Sequence, residues 1–253
     1  MKRKISCILI LSALIISLTG CALSEKKVEE NKADTTTAET TVAETTETTE
    51  TTEITEMTEA TVVFEKGVVE GNTYENKMIG IGCTLNEEWF FYTEEEMSEK
   101  AEERKDIVAS ASNNTVDLTS GDLHKDMMAE HIEGAFIGSI NILAEKPGSF
   151  VYTVYDEKQI LEASQTQVEE LLVNMYKNAG FEKVVVSSEV STINIDGEEF
   201  CSLSTTTNLN DSIDFYQFQI IKKFGDGCLA TITISSSDKD IIKEVIDSFY
   251  IVK

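Results

Sequence analysis

The composition of the chain changes abruptly near residue 61, and this change confines the fold to one part of the sequence. Residues 35–61 are nearly all Thr, Glu and Ala, with a Thr-Thr-Glu repeat from Thr45 to Glu53. A segment with so few apolar side chains cannot offset the entropy lost on ordering. We therefore expect residues 22–61, with 11 acidic and 3 basic side chains, to form an extended disordered tether, either unmodified or glycosylated.

The N-terminus has the pattern of an export signal. Three basic residues, Lys2 to Lys4, precede a mostly apolar run from Ile5 to Leu18, which is shorter than the roughly 20 residues of a membrane-spanning helix. The run ends in Leu-Thr-Gly-Cys, which resembles a bacterial lipobox, so residues 1–20 are predicted to be a lipoprotein signal peptide. Cys21 would then carry acyl chains that anchor residues 21–61 to the outer face of the cell membrane. The alternative is an ordinary secretory signal followed by an incidental cysteine.

The rest of the chain, residues 62–253, has the length and composition of one folded domain. It is long enough to bury a substantial core without a metal ion or a disulfide, and no cofactor is predicted. Its 35 acidic and 15 basic side chains, within a chain of formal net charge −25, exclude nucleic acid as a partner. The sequence contains no phosphate-binding loop, no G-x-S-x-G and no H-E-x-x-H.

Periodicity in this domain predicts an α+β fold with a central antiparallel sheet of about six or more strands, flanked by helices on both faces. Two hairpins are indicated by Asp196-Gly197 and by residues 225–227. One helix should start at the N-cap Thr93, a second should end at Gly180, and a third should start at Ser237. The predicted strands are 62–69, 78–85, 89–92, 124–130, 139–144, 184–195, 198–206, 213–224 and 228–235.

Several short motifs in this order resemble those of the PsbP-like domains carried by small lipoproteins of Firmicutes. They are Tyr74-Glu75-Asn76, Gly80-Ile81-Gly82 leading to Trp89, residues 125–129, residues 140–146, Asp196-Gly197 with Phe200, and Tyr250. One departure is Asn86-Glu87, where the pattern usually carries a proline before the tryptophan. The resemblance covers residues 64–253. It implies a central antiparallel sheet with helices on both faces, and a binding or assembly role more often than catalysis; it transfers no catalytic residue.

Asp122, His124 and Asp126 form the candidate metal site. On a strand, residues spaced by two share one face, and two carboxylates with an imidazole suit zinc or manganese. The alternative is that these three side chains are simply the solvated face of an edge strand.

Four other features have both a functional and a structural interpretation. Cys201 and Cys228 could form a disulfide or, with Cys83, be small buried hydrophobes. Residues 208–214 resemble a calcium loop but lack its sixth-position glycine, so a turn is favoured. The glutamates of residues 94–103 could attract cations or keep the surface soluble, and the aromatic run 89–92 could stack a ligand or pack beneath the acidic helix.

The sequence therefore predicts a lipid-anchored extracytoplasmic binding or assembly module without enzymatic activity. Its expected partners are the membrane, through acyl chains on Cys21, and either an envelope protein or a small ligand. The alternative function is a divalent-ion-binding protein or a metal-dependent hydrolase that uses the face of Asp122, His124 and Asp126.

Overall fold

A computed structural model describes residues 64–112, 123–133, 136–146, 153–225 and 227–253. The predicted signal peptide, Cys21, the tether, Asp122 and the turn at Pro147-Gly148 lie outside these residues. The division of the chain at residues 20 and 61 therefore stays a prediction. Within the described ranges, no helix is both long and apolar enough to cross a membrane.

Four short strands form a small antiparallel sheet that the sequence did not predict as a separate unit. They are β1 (Val68–Glu70), β2 (Thr73–Asn76), β3 (Ile81–Thr84) and β11 (Phe249–Ile251), in the order β1-β2-β3-β11. Strands β2 and β11 were not predicted. The last helix ends at Asp247, and Phe249 pairs with Cys83 of β3.

Seven strands, six of them with nine residues or more, form the large antiparallel sheet and confirm the predicted fold class. Its order is β4-β5-β6-β10-β9-β8-β7. Both predicted hairpins are present, and Asp196 and Gly197 adopt the positive φ angles, 50° and 89°, that a tight two-residue turn requires. The strands are β4 (Trp89–Phe91), β5 (Leu123–Glu133), β6 (Phe136–Glu145), β7 (Val184–Ile195), β8 (Glu198–Leu209), β9 (Ile213–Phe224) and β10 (Cys228–Ser236).

Two long helices begin with reciprocal capping boxes. Helix α1 (Glu94–Ala111) starts at Thr93, as predicted: the Thr93 hydroxyl accepts from the amide of Glu96, and the Glu96 carboxylate accepts from the amide of Thr93. Helix α2 (Glu157–Asn178) is capped in the same way by Asp156. It ends just before Gly180, whose φ of +95° makes it the predicted C-terminal glycine.

Helix α3 (Lys239–Asp247) starts one residue later than predicted. Its N-cap is Asp238 and not Ser237, since the Asp238 carboxylate accepts from the amide of Asp240 at 2.9 Å. A carboxylate at this position also interacts favourably with the positive end of the helix dipole.

The large sheet separates two layers. We call the side covered by α1 and α2 the helical face, and the side covered by the small sheet and α3 the small-sheet face. One core cluster joins α1 and α2 to Leu143, Leu203 and Ile221 on the helical face. On the small-sheet face, Ile220 and Ile232 are fully buried. Helices therefore lie on both faces, as predicted, but α1 and α2 share one of them.

Strand β7 is an edge of the large sheet, and α2 blocks the middle of that edge. The Gln165 side-chain amide donates to the carbonyl of Ser188 at 2.7 Å, and the Glu169 carboxylate accepts from the amide of Ser188 at 3.0 Å. Both backbone groups of Ser188 are thus bonded to side chains of the helix instead of facing outward unpaired.

Candidate functional site

The structure describes two of the three predicted metal residues. Asp122 lies outside the described residues, His124 is exposed and stacks on Phe64 with 4.9 Å between ring centroids, and Asp126 is buried. Strand β5 has a register shift between Lys125 and Met127. Among the described residues, no three His, Cys, Asp or Glu side chains are arranged as metal ligands. The three-residue site stays a prediction.

The carboxylate of Asp126 is engaged in a network that joins the two sheets. It accepts from the Tyr74 hydroxyl, from Asn76 Nδ2 at 2.8 Å and from the amide of Gly67 at 2.7 Å. The side chain of Asn76 also accepts from the amide of Ile79 at 2.9 Å. Burial, followed by the charge of Asp126, raises the pKa of Tyr74 far above its ordinary value. These three donors would compete with a metal ion for Asp126.

Residue 67 must be glycine for this network to form. A Cβ atom there would lie 2.3 Å from the ring of Tyr74, which is closer than real Cβ contacts allow. The close approach of the backbone places the Gly67 amide against Asp126 and fixes the start of the small sheet to strand β5.

The described cysteines form no disulfide with one another; Cys83 and Cys228 are buried, as the structural interpretation predicted, and Cys201 is partly exposed. Cys201 and Cys228 lie on β8 and β10, with β9 between them, and alternation along the strands places them on opposite faces of the sheet. They are therefore not positioned to form the disulfide considered from the sequence. Burial raises the pKa of the Cys83 thiol to about 12.

The structure also places the other sequence candidates. Residues 208–214 form the turn between β8 and β9, in which Asn208 Nδ2 donates to Asp214 at 2.8 Å and Lys183 pairs with Asp211 at 2.6 Å. The glutamates at 94, 95, 99, 102 and 103 on α1 are exposed. Trp89 is buried, but on the small-sheet face beside Ile241 of α3 and not beneath the acidic helix as expected.

A cleft of about 580 Å³ lies beside β1 and β2. Its charged lining mixes both signs, with Glu65, Glu70 and Glu75 facing Lys66 and Lys77. Its one buried polar side chain, Asn76, is already bonded to Asp126 and Ile79. The cleft therefore has no set of free polar groups that converge on a ligand.

A row of polar side chains crosses the helical face of the large sheet, and sequence reasoning missed it. Strand pairing places six residues side by side, one on each of six adjacent strands, and we call them the polar row. Its members, from β5 to β7, are Glu130, Ser139, Ser235, Gln217, Thr205 and Ser188. All except Ser188 are buried. Directly opposed side chains in such a row have Cβ atoms about 5 Å apart.

A second, shorter row lies beside the first. Asn141, Thr233 and Gln219 are cross-strand neighbours on β6, β10 and β9, and all are fully buried. Thr231 and Thr207 extend the polar surface by one position on each side. We call the two rows together with Thr207 and Thr231 the polar patch.

Only some hydrogen bonds of the polar patch are made within it. Gln217 Nε2 donates to Ser235 Oγ at 3.1 Å, and Gln219 Nε2 donates to Thr233 Oγ1 at 3.3 Å. In contrast, the hydroxyls of Thr205, Thr207 and Thr231 make no hydrogen bond with the described part of the chain, although these residues are only 3%, 1% and 0% exposed.

At one end of the polar row, the carboxylate of Glu130 lies beside the guanidinium of Arg104, and the two charges offset each other. Glu130 accepts a hydrogen bond from the hydroxyl of Tyr92 at 2.6 Å and lies 3.9 Å from Nη2 of Arg104 on α1. Arg104 is buried, which lowers the pKa of its guanidinium, while the charge of Glu130 acts in the opposite direction. Burial and the hydrogen bond to Glu130 raise the pKa of Tyr92.

The two long helices pack mainly on different strands of the large sheet. Helix α2 packs on β7, β8 and β9, and α1 packs on β5. Strands β6 and β10, which carry Ser139, Asn141, Thr233 and Ser235, lie between these two groups of strands. These four side chains are only 0–2% exposed, so they are covered as well.

The chain matches no protein-family model and no curated protein. Among solved structures it is similar to cyanobacterial PsbP (CyanoP) from Synechocystis sp. PCC 6803, at 12% sequence identity and a TM-score of 0.43 over 75% of this chain and 98% of that chain. It is also similar to LpqN of Mycobacterium tuberculosis, which is described as involved in cell envelope biogenesis, at 10% identity and a TM-score of 0.28 over 53% of this chain and 80% of that chain. The class of the protein is defined by its own architecture, an α+β domain with two antiparallel sheets.

Proposed function

We propose that this protein is a lipid-anchored, extracytoplasmic binding module without enzymatic activity, and that its folded domain holds a small ligand against the polar patch. The anchor is supported by the basic start, the apolar run and Cys21, and the position away from the membrane by the Thr- and Glu-rich tether. A small ligand is favoured over an envelope protein as the partner of this site because the patch is buried beneath two helices.

The observation that carries the proposal is the set of three buried threonine hydroxyls that lack a protein partner among the described residues. A buried polar group without a hydrogen bond costs about 1–3 kcal/mol, so Thr205, Thr207 and Thr231 together oppose folding by several kcal/mol. Valine has nearly the same shape and would avoid this cost. Three such residues on one face, beside two rows of further polar groups, are accounted for by a molecule that bonds to them.

A binding role is favoured over catalysis by how the ionisable groups of the patch are used. Glu130 is bonded to Tyr92 and paired with Arg104, so its carboxylate is occupied. The remaining members of the patch are hydroxyls and amides, which bind and orient ligands but are poor acids and bases near neutral pH.

The anchor is tested by labelling cells that express the full chain with a clickable palmitate analogue. Wild-type protein should be labelled and should sediment with membranes, whereas Cys21→Ala should be unlabelled. Cys7→Ala is the matched control and should be labelled like wild type. Release of the wild-type protein into the medium without label would refute the lipid anchor.

The ligand site is tested by native mass spectrometry of the full chain extracted from its own membranes in mild detergent. The spectrum should contain a non-covalent adduct that is lost on collisional activation. The double variant Thr205→Val/Thr231→Val should retain at least tenfold less of it. An adduct of equal abundance in both proteins would place the ligand elsewhere, and no adduct in either would contradict the proposed function.

A further inference from the structure

A pocket of about 230 Å³ lies where the end of helix α3 meets the loop between β3 and β4. The loop contributes Leu85 and Asn86, β4 contributes Trp89, and the helix contributes Glu244 and Val245. We call this cavity the Trp89 pocket. Its walls combine aromatic and aliphatic carbon with one carboxylate.

We infer that the Trp89 pocket binds an organic cation, an ammonium or guanidinium group attached to a short carbon chain. The pocket is on the small-sheet side of the domain, beside α3, whereas the polar patch is on the helical face. The inference therefore concerns a second site and does not depend on the function proposed for the patch.

The side-chain charges at the pocket favour a cation. Glu244 is the charged residue of the lining, and it accepts a hydrogen bond from the neutral amide of Asn86 at 2.8 Å. The same nitrogen of Asn86 lies 3.3 Å from the carboxylate of Glu88. Two carboxylates thus approach one neutral group, and a positive ligand beside Glu244 would offset their repulsion.

The end of helix α3 adds to this preference. The last turn of a helix carries the negative end of the dipole, so cations are favoured there and carboxylates are not. The last turn of α3 has no basic residue, and it carries Glu244 and Asp247. Asp247 is paired with Lys243, whereas the pocket leaves room for a cation beside Glu244.

The carbon walls of the pocket select an organic cation over a metal ion. A metal ion requires several oxygen, nitrogen or sulfur ligands, and this lining offers a single carboxylate. An alkylammonium can instead place its chain against Leu85 and Val245 while the ring of Trp89 attracts its charge. The volume is below the roughly 300 Å³ of pockets that hold drug-sized ligands, so the group must be small.

The test uses the fluorescence of Trp89, which is the one tryptophan of the chain and therefore reports from the wall of the pocket. The full chain, in mild detergent, is titrated with n-butylammonium, 1-butanol and pentanoate. These probes share a four-carbon chain and differ in charge. The cation should change the fluorescence saturably, and the other two should bind about fivefold more weakly or not at all.

Variants show whether Glu244 provides the charge. Glu244→Gln keeps the shape of the side chain and an acceptor for Asn86 but removes the charge, so binding of butylammonium should weaken about fivefold. Asp247→Asn is the matched control, because it removes a charge from the same turn outside the lining, and it should bind like wild type. Circular dichroism spectra of both variants should match wild type.

Salt provides a second measurement that needs no variant. In about 1 M sodium chloride the screening length falls to roughly 3 Å, so wild-type protein should bind butylammonium more weakly than in dilute buffer. The Glu244→Gln variant should lose less affinity on the same change. Equal salt dependence of the two proteins would show that Glu244 does not contact the cation.

The two sources of such a cation are separated with Nα-acetyl-lysine methylamide, which presents the ammonium as a side chain of a peptide. If it binds as well as butylammonium, the pocket accepts a basic side chain of a partner protein. If butylammonium alone binds, the occupant is a free small amine.

Three results would overturn the inference. They are the absence of a saturable change in fluorescence, binding of 1-butanol as tight as that of butylammonium, and unchanged binding in Glu244→Gln. The double variant Thr205→Val/Thr231→Val should bind butylammonium like wild type. Failure of the adduct test at the polar patch would therefore leave this site intact, and the reverse also holds.

Discussion

The large sheet is buried on both faces at its centre, but the two faces are built there from different side chains. On the small-sheet face the central positions are apolar, and Ile142, Ile220 and Ile232 are cross-strand neighbours with no exposed surface. On the helical face the corresponding strands present Asn141, Gln219 and Thr233. At these central positions the same strands thus bury apolar side chains on one face and costly polar groups on the other, which is the arrangement expected when the polar positions bind a ligand.

Truncation of a buried side chain on the small-sheet face should cause the largest loss in the free energy of unfolding. Ile232→Ala removes three buried carbon atoms from the centre of this face, and the free energy of unfolding should fall by about 4 kcal/mol. Urea denaturation followed by circular dichroism measures this change. A loss below 1 kcal/mol would mean that this face is not the main source of stability.

Asp126, a buried carboxylate on the small-sheet face, should also contribute strongly to stability, because it accepts three hydrogen bonds from described residues. Asp126→Ala leaves the donors of Tyr74 and Gly67 without this acceptor and leaves Asn76 Nδ2 only the carbonyl of Glu65, so it should lower the free energy of unfolding by about 3 kcal/mol. Asp126→Asn keeps the volume and one acceptor oxygen, so its loss should be smaller. Equal, negligible losses for both would show that the network does not join the two sheets energetically.

Cys83, in the small sheet, should make the free energy of unfolding fall as the pH becomes alkaline. Burial raises its pKa from 9.0 to about 12, so the folded protein keeps the proton that the unfolded chain releases above pH 9. The contribution is complete below pH 9 and is lost as the pH rises towards 12. Between pH 8 and pH 10 the loss should be about 1.4 kcal/mol.

The measurement compares urea unfolding of wild type and Cys83→Ala at several pH values between 8 and 10. The difference between the two slopes isolates Cys83 from other titrating groups, including Lys222, whose pKa is lowered by burial. Parallel slopes would indicate that the thiol of Cys83 is not shielded from water in the folded protein.

The smallest expected changes in the free energy of unfolding are those for two neighbouring threonines on the helical face, and they should have opposite signs. Thr231→Val removes a hydroxyl with no partner among the described residues and should raise the free energy of unfolding by about 1 kcal/mol. Thr233→Val removes the acceptor of the Gln219 amide and should lower it by a similar amount. Chemical denaturation of both ligand-free variants tests the difference. If Thr231→Val destabilises as much as Thr233→Val, its hydroxyl is satisfied and the comparison of the faces fails.

Local signals predicted much of the fold. The N-cap at Thr93, the apolar stripe of α2 ending at Gly180, and the Asp196-Gly197 turn all act within a few residues of the chain, and all three are present. The short strands β2 and β11 were missed because three or four residues give too little alternation to recognise. Their pairing with β3 is decided by contacts between distant segments.

The polar patch could not be predicted for a related reason. Strand β10 alternates Thr231, Thr233 and Ser235 with isoleucines, which is the usual pattern of a strand with one wet face, yet every residue of β10 is buried. The rows exist only because six strands are in matching register, which no single segment specifies. Asp126 also illustrates this limit, since its sequence spacing suggested a ligand and its actual partners come from residues 67, 74 and 76.

The hydrogen bonds from Gln165 and Glu169 to the backbone of Ser188 also affect whether copies of the protein can associate through strand β7. A strand of 12 residues with an open edge is a template on which a neighbouring molecule can add its own strand, and repeated addition leads to fibrils. With Ser188 occupied, the edge is divided into stretches of four and seven residues, each a poor template by itself. The domain can therefore be displayed densely on a surface while each copy remains a separate molecule.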